Sequence, residues 1–158
     1  MKKLFYTLAL IATFSFLTTS CATIVGGSKY YAHVKVPEHP YARIEYKGQY
    51  IGNGSAMVKV KRTEAGNLSF TVKEDGYKQE EFQFNRKKYR TFALIGSAVL
   101  FTGMVGGVPI PWGVTVDMCT GALWKPDKNE KGVSKMDMKN YTYTLDYKGN
   151  KIEEISGK

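Results

Sequence analysis

Tyr30-Tyr31-Ala32-His33-Val34-Lys35-Val36 sets Tyr30, Ala32, Val34 and Val36 against Tyr31, His33 and Lys35. Successive side chains of an extended chain point to opposite faces, so this period of two predicts a strand with one dry face and one wet face. The rule recurs downstream. Ala42, Ile44 and Tyr46 oppose Arg43, Glu45 and Lys47; Ala56, Val58 and Val60 oppose Met57, Lys59 and Lys61; Leu68, Phe70 and Val72 oppose Ser69, Thr71 and Lys73. Phe82 and Phe84 anchor a fifth run. Lys47-Gly48, Gly52-Asn53-Gly54, Ala65-Gly66-Asn67 and Asp75-Gly76 separate the runs with residues that tolerate positive φ. Near the other end, Tyr141, Tyr143, Leu145 and Tyr147 alternate with Thr142, Thr144 and Asp146 until Lys148-Gly149-Asn150 turns the chain. These runs predict a mainly β, compact antiparallel unit completed by its last strand.

Within it, Pro40-Tyr41-Ala42-Arg43-Ile44-Glu45-Tyr46-Lys47-Gly48, then Tyr50-Ile51-Gly52, and later Gly76-Tyr77 resemble the PEGA domain over residues 37–86. Asn53-Gly54-Ser55 stands where that family usually carries Thr-Pro. The resemblance implies a small antiparallel β-sandwich of the bacterial envelope that binds rather than catalyses.

The chain opens with Lys2 and Lys3, continues uncharged from Leu4 to Leu17, and reaches Leu17-Thr18-Thr19-Ser20-Cys21. Positive, apolar and small-residue parts in that order make an export signal, and the apolar part is too short to span a bilayer. The segment resembles a bacterial lipoprotein signal, with Ser20 in place of the usual Gly or Ala. That resemblance implies cleavage before Cys21, diacylglycerol on its sulfur and a fatty acid such as palmitate on the new amine. Ala22, rather than Asp, follows the cysteine, which by resemblance to diderm lipoproteins implies the outer membrane; with no acidic run after it, the periplasmic face is expected. The predicted organisation is a signal peptide at 1–20, a lipidated tether at 21–29, and a single PEGA-like β domain at 30–158.

The composition is basic, with 23 Lys and Arg against 14 Asp and Glu and a formal charge of +9. Cleavage at residue 20 removes only Lys2 and Lys3 of these charges. An exported basic surface favours membrane lipid and an envelope protein or acidic glycan as partners, not nucleic acid. Cys119 is the only other thiol, so no disulfide is expected within the chain, and a small buried role is predicted for it.

Residues 91–116 contain no charge. Gly103, Gly106, Gly107, Pro109 and Pro111 interrupt their second half and disfavour a continuous helix there. A span would also leave Arg86, Lys87, Lys88 and Arg90 on the export side, against the usual charge bias. Two readings stand. In one, 91–116 is an interfacial hairpin or short-helix insertion, with Phe92, Leu94, Leu100, Phe101, Trp112 and Trp124 in lipid and the basic cluster on head groups. In the other, Leu94, Val99, Phe101 and Ile110 are buried against Phe70, Phe82 and Tyr143 as ordinary core.

Asp117-Met118-Cys119-Thr120-Gly121-Ala122 resembles an Asp-x-x-Thr-Gly-Ala pattern that follows glycine-rich apolar segments in some small bacterial lipoproteins. Asp117 is expected to cap a helix or pair with a lysine. Residues 125–139 read as an exposed loop. His33 and His39 are expected in solvent, and no metal set, phosphate loop or nucleophile elbow is present. No cofactor is expected beyond covalent lipid on Cys21, and no enzymatic activity. Eleven tyrosines suit cross-strand packing, and a second reading assigns Tyr30, Tyr31, Tyr50 and Tyr77 to a glycan- or protein-binding face.

Overall fold

The computed structural model describes residues 26–100, 102–105 and 108–151. The expectations for residues 1–20, Cys21 and Phe101, and for the Leu100 side chain, fall outside this description. In chain order the elements are β1 (Lys29–Lys35), β2 (Arg43–Tyr46), β3 (Gln49–Asn53), β4 (Ser55–Lys61), β5 (Leu68–Lys73), β6 (Glu80–Phe84) and β7 (Lys87–Tyr89). Helix α1 (Thr91–Leu100), strands β8 (Gly103–Val105) and β9 (Val108–Ile110), and helix α2 (Trp112–Thr120) follow. Strands β10 (Trp124–Pro126), β11 (Val133–Lys135) and β12 (Asn140–Thr144) end the series. A 3-10 turn at Arg62–Gly66 leads out of β4.

Two four-stranded sheets, ordered β11-β12-β1-β4 and β3-β2-β5-β6, face each other across one core. The fold is the expected small β-sandwich. Its inner layer is the apolar parity of the sequence: Tyr30, Ala32 and Val34 from one sheet, Ile44, Phe70 and Val72 from the other, all fully buried. Burying one Val, Ile, Leu or Phe contributes about 1.5–3 kcal/mol, so the alternation itself carries the sheet pairing. Phe84 and Tyr143 meet edge-on at 4.8 Å, and Phe70 reaches Tyr143 at 5.7 Å. Inside this aromatic layer the Tyr30 and Tyr143 hydroxyls bond each other at 2.9 Å. Tyr30 is therefore core, which removes it from the proposed tyrosine binding face.

Two local devices set the topology. Lys47 and Gly48, at φ 51° and 74°, form the tight β2–β3 hairpin whose twist suits positive φ at both central residues. Gly52 and Asn53, expected in a turn, end the strand Gln49–Asn53, which pairs with β2 at the sheet edge. Gly54, at φ 59°, is the corner where the chain leaves one sheet for the other. Its amide donates to the Ala42 carbonyl and its carbonyl accepts from Val36, both at 2.8 Å. A Cβ there would collide with the Pro40 backbone.

One pair departs from the antiparallel expectation: β12 runs parallel to β1, with Ala32 opposite Tyr141 and Val34 opposite Tyr143. Parallel neighbours need a long crossover, and everything between β4 and β12 supplies it. The predicted loop at 125–139 is also corrected. It holds the end of β10 and all of β11, and Pro126, Asp127 and Val133 are buried. Its charges mislead because most of them sit in the turns between short strands, while the buried Asp127 pairs with Lys88. The histidines are likewise engaged: His33 Nε2 bonds Asn140 Oδ1 at 3.0 Å, and His39 bonds Glu74 while its ring meets Tyr77 and Tyr147 edge-on.

Burial raises the pKa of both Tyr30 and Tyr143, in Tyr143 reinforced by its neighbour's hydroxyl. The stability held by these neutral phenols is complete below about pH 10 and is lost as pH rises beyond it. Denaturation midpoints are expected to stay level from about pH 7 to about pH 9 and to fall above about pH 10. Tyr143→Phe strands the Tyr30 hydroxyl and is expected to cost about 1–2 kcal/mol at neutral pH. Urea titration checks both, and a Tyr143→Phe protein of unchanged stability would contradict the role given to the pair.

Candidate functional site

Arg62 sits at the turn out of β4 with no exposed surface. It follows Val58 and Val60 at even spacing, so strand parity directs it inward. Its guanidinium donates to the Gly27 carbonyl at 3.0 Å, Gly26 at 3.4 Å, Trp124 at 3.3 Å and Met138 at 2.9 Å, and lies 5.8 Å from the Tyr30 ring centre. Burial, with Arg90 nearby, pulls its pKa below the usual arginine value. A guanidinium does not shed its proton in a protein, so these carbonyls hold a dry charge. The result fixes the chain at Gly26 and Gly27 against the segment that follows α2.

Arg90 makes the second half of this seam. Its Nη1 donates to Ala122 at 2.9 Å, its amide to Leu123 at 2.7 Å, and its head lies against Gly26. Arg90 is therefore buried, which corrects its expected place among head-group ligands. Arg86, Lys87 and Lys88 are exposed. Strand β7 pairs with β10, Lys88 reaches Asp127 at 3.0 Å, and Lys87 lies 4.3 Å from the Trp124 ring centre. Trp124 is half-buried and stacks on Tyr89 at 4.4 Å. Its ring is occupied by the β7–β10 ribbon, not held out as a free anchor.

Beyond the seam, α1 and α2 pack on each other. Ser97 on α1 donates to Asp117 on α2, and both are fully buried. The Asp-x-x-Thr-Gly-Ala pattern acquires a structural account here. Asp117 ties the helices; Gly121, at φ 74°, ends α2 in the left-handed region and lies against Thr63; Ala122 is buried and receives Arg90. Asp117 lies in the second turn of α2 and does not cap that helix. With Ala93 and Leu123, Ala122 forms a small core to which Leu94 and Val114 add half-buried side chains. Leu94 belongs to that core instead of an open lipid face.

The sandwich core around Phe70 and Tyr143 includes no described residue of 91–116, so the described part of this segment does not fill the sheet interior. Its outer surface is apolar: Phe92 is 93 % exposed, Val99 72 % and Met104 76 %, and Trp112 is 44 % exposed. Ile110 is half-buried. Cys119 is exposed, against the burial expected of it, because α2 turns Gly113 and Asp117 toward the interior. The signal that marks this surface in the sequence is its lack of charge; the direction in which it faces has no sequence signal.

Two open clefts flank the sandwich. One, of about 480 Å³, includes Arg43, Glu45, Lys73 and Glu74, and the other, of about 750 Å³, includes Phe82, Glu130, Lys131 and Asp146. Four of their carboxylates serve structural contacts: Glu45 with Arg43 and Lys73, Glu74 with His39, Glu130 with the amides of Asn85 and Arg86, and Asp146 with Lys131. Among the described residues, no three His, Cys, Asp or Glu side chains gather where they could hold a metal ion. Comparison with protein-family models, with curated proteins and with solved structures finds no match.

Replacing Arg62 with Met leaves its carbonyl partners in a dry site without a donor. The substitution is expected to cost about 3–5 kcal/mol and to free the chain at Gly26 and Gly27. Limited proteolysis checks this: cleavage ahead of β1 should precede cleavage anywhere in the sandwich. Equal resistance in the two proteins would show that the seam does not depend on Arg62.

Proposed function

We infer that this is a non-catalytic, lipid-anchored protein of the bacterial envelope, held through Cys21 and carrying a PEGA-like sandwich that binds an envelope protein or glycan close to the membrane. The observation that carries the reading is the anchorage of Gly26 and Gly27 under Arg62 and Arg90, at the same seam from which α1 and α2 project. Cys21 lies five positions before Gly26, and five extended residues reach at most about 18 Å. A lipid on Cys21 would therefore hold this end of the sandwich against the bilayer and leave the cleft at the far end, where β2 begins and β5 ends, free for a partner. The reading of the signal segment supplies the outer membrane and its periplasmic face as the site of residence.

Glu45, Glu74, Glu130 and Asp146 in the clefts are engaged with basic side chains or backbone amides, which supports binding over hydrolysis. Metabolic labelling with an alkyne fatty acid in a diderm bacterium tests the anchor. The wild-type protein is expected to take up label and Cys21→Ala to lose it, with the precursor retaining residues 1–20. A wild-type protein that takes up no label would remove the anchor from this reading. Photo-crosslinking from Tyr41 or Lys131, one in each cleft, should capture an envelope component, and capture from neither would remove the partner.

A further inference from the structure

Helix α1 is arranged inside out for water. Phe92, Ile95 and Val99 stand at i, i+3 and i+7 and so share one face, and that face is exposed. Its buried face carries Ala93 and the hydroxyl of Ser97. In α2 the same inversion holds: Gly113 and Asp117 turn inward while Trp112 and Met118 turn outward. A helix on an aqueous surface shows the opposite arrangement, with its apolar stripe inside. Small residues and a polar contact between helices, with apolar side chains outside, are the arrangement that lipid favours. Between the helices, the β8–β9 hairpin adds Met104 and Val108 to the exposed apolar side chains, and apolar side chains gathered on one unit mark an interaction surface.

The depth of contact is limited. Helix α1 is about 15 Å long, roughly half the hydrocarbon thickness of a bilayer. No described helix is long and apolar enough to cross a membrane. The charges supply the boundary. Arg86, Lys87 and Lys88 precede α1, and Lys125 and Lys128 follow α2, so basic residues gather where the unit leaves the sandwich. Burial and then the positive charges of Lys135, Arg90, Lys128 and Lys88 lower the pKa of Lys125, as expected of an incompletely neutralised basic collar.

We propose that the unit from α1 to α2 seats in one leaflet of the bilayer, its outer apolar face among the acyl chains and the basic collar of β7 and β10 on anionic head groups. A second copy of the chain is the poorer occupant, because joining two such faces brings two positive collars together. An anionic lipid surface is complementary to both parts. This docking rests on the envelope reading only for the identity of the membrane, and the Cys21 lipid and the apolar unit become two contacts with the same surface. Together they fix the orientation of the sandwich, which a flexible lipid tether alone would leave free.

The chain has two tryptophans, so Trp124→Phe leaves Trp112 as the sole reporter. The mature protein, isolated from membranes, is placed in vesicles of phosphatidylcholine and phosphatidylglycerol with or without bromine on the acyl chains. Trp112 emission is expected to be lost in brominated vesicles and protected from acrylamide, and Val99→Glu, at an exposed position, is expected to reverse most of that loss. Emission that survives bromine and yields to acrylamide would overturn the proposal. So would a Val99→Cys, Cys119→Ser protein that forms a disulfide dimer while Trp112 is shielded from both quenchers, since a second copy would then cover the face. Mass analysis of the Cys21 peptide separates the two readings: quenched Trp112 on a chain without lipid supports docking while removing the anchor, and acylated Cys21 with unquenched Trp112 does the reverse.

Discussion

A positive charge without water organises this molecule. The Arg62 guanidinium donates to carbonyls from Gly26, Gly27, Trp124 and Met138, which belong to the start of the described chain, the strand after α2, and the approach to β12. Each acceptor is a backbone group, so what the arginine specifies is the path of the chain, not the identity of the residues it touches. A neutral side chain of similar size would fill the space but leave those carbonyls without donors, at a cost comparable to several ordinary hydrogen bonds. Arg90 repeats the device one layer out by receiving the turn after α2. Two like charges are thereby tolerated close together, since backbone carbonyls accept from both. Their mutual repulsion appears in the lowered pKa of Arg62, in which burial is the larger cause.

The seam separates two parts with opposite relations to solvent. In the sandwich, apolar side chains face inward and the exposed parity carries charge, and the interior is dominated by aromatic rings and a buried tyrosine pair. In the helical unit, a serine and an aspartate face inward and phenylalanine, valine and methionine face outward. The second arrangement is costly in water, because exposing apolar surface there is unfavourable by about 25 cal/mol per Å². The boundary between them coincides with the basic residues of β7 and β10, where long lysine side chains can cover apolar surface while keeping their charges wet. Lys87 does this over Trp124.

Much of the sandwich was legible from local pattern. Tyr30, Ala32 and Val34, then Ile44, then Leu68, Phe70 and Val72, are the residues that alternation places inside, and they are buried. Legibility failed where an element is too short to show a period. Strands β7, β10 and β11 have three residues each, and their charged side chains make them resemble loop. The parallel partnership of β1 and β12 was equally hidden, since side-chain parity is the same for either strand direction. At the candidate site, the basic cluster and neutral segment were visible as composition. The withdrawal of Arg90 into the seam and of Leu94 into the small core was not, because each depends on Ala122 and Leu123, about thirty residues away.

By itself the sequence determined that the chain forms strands, where the main turns fall, and which face of each longer strand is dry, because the alternation of side chains across an extended backbone is a local geometric fact. It also determined that 91–116 is free of charge. Tertiary structure alone decided which of its side chains face outward. A uniformly apolar run has no polar face from which its inward side can be read, so its orientation was left to distant contacts: Ser97 with Asp117, Arg90 with Ala122, and Gly121 against Thr63. These contacts draw Ser97, Gly113 and Asp117 inward, and Phe92, Ile95, Val99 and Trp112 face outward.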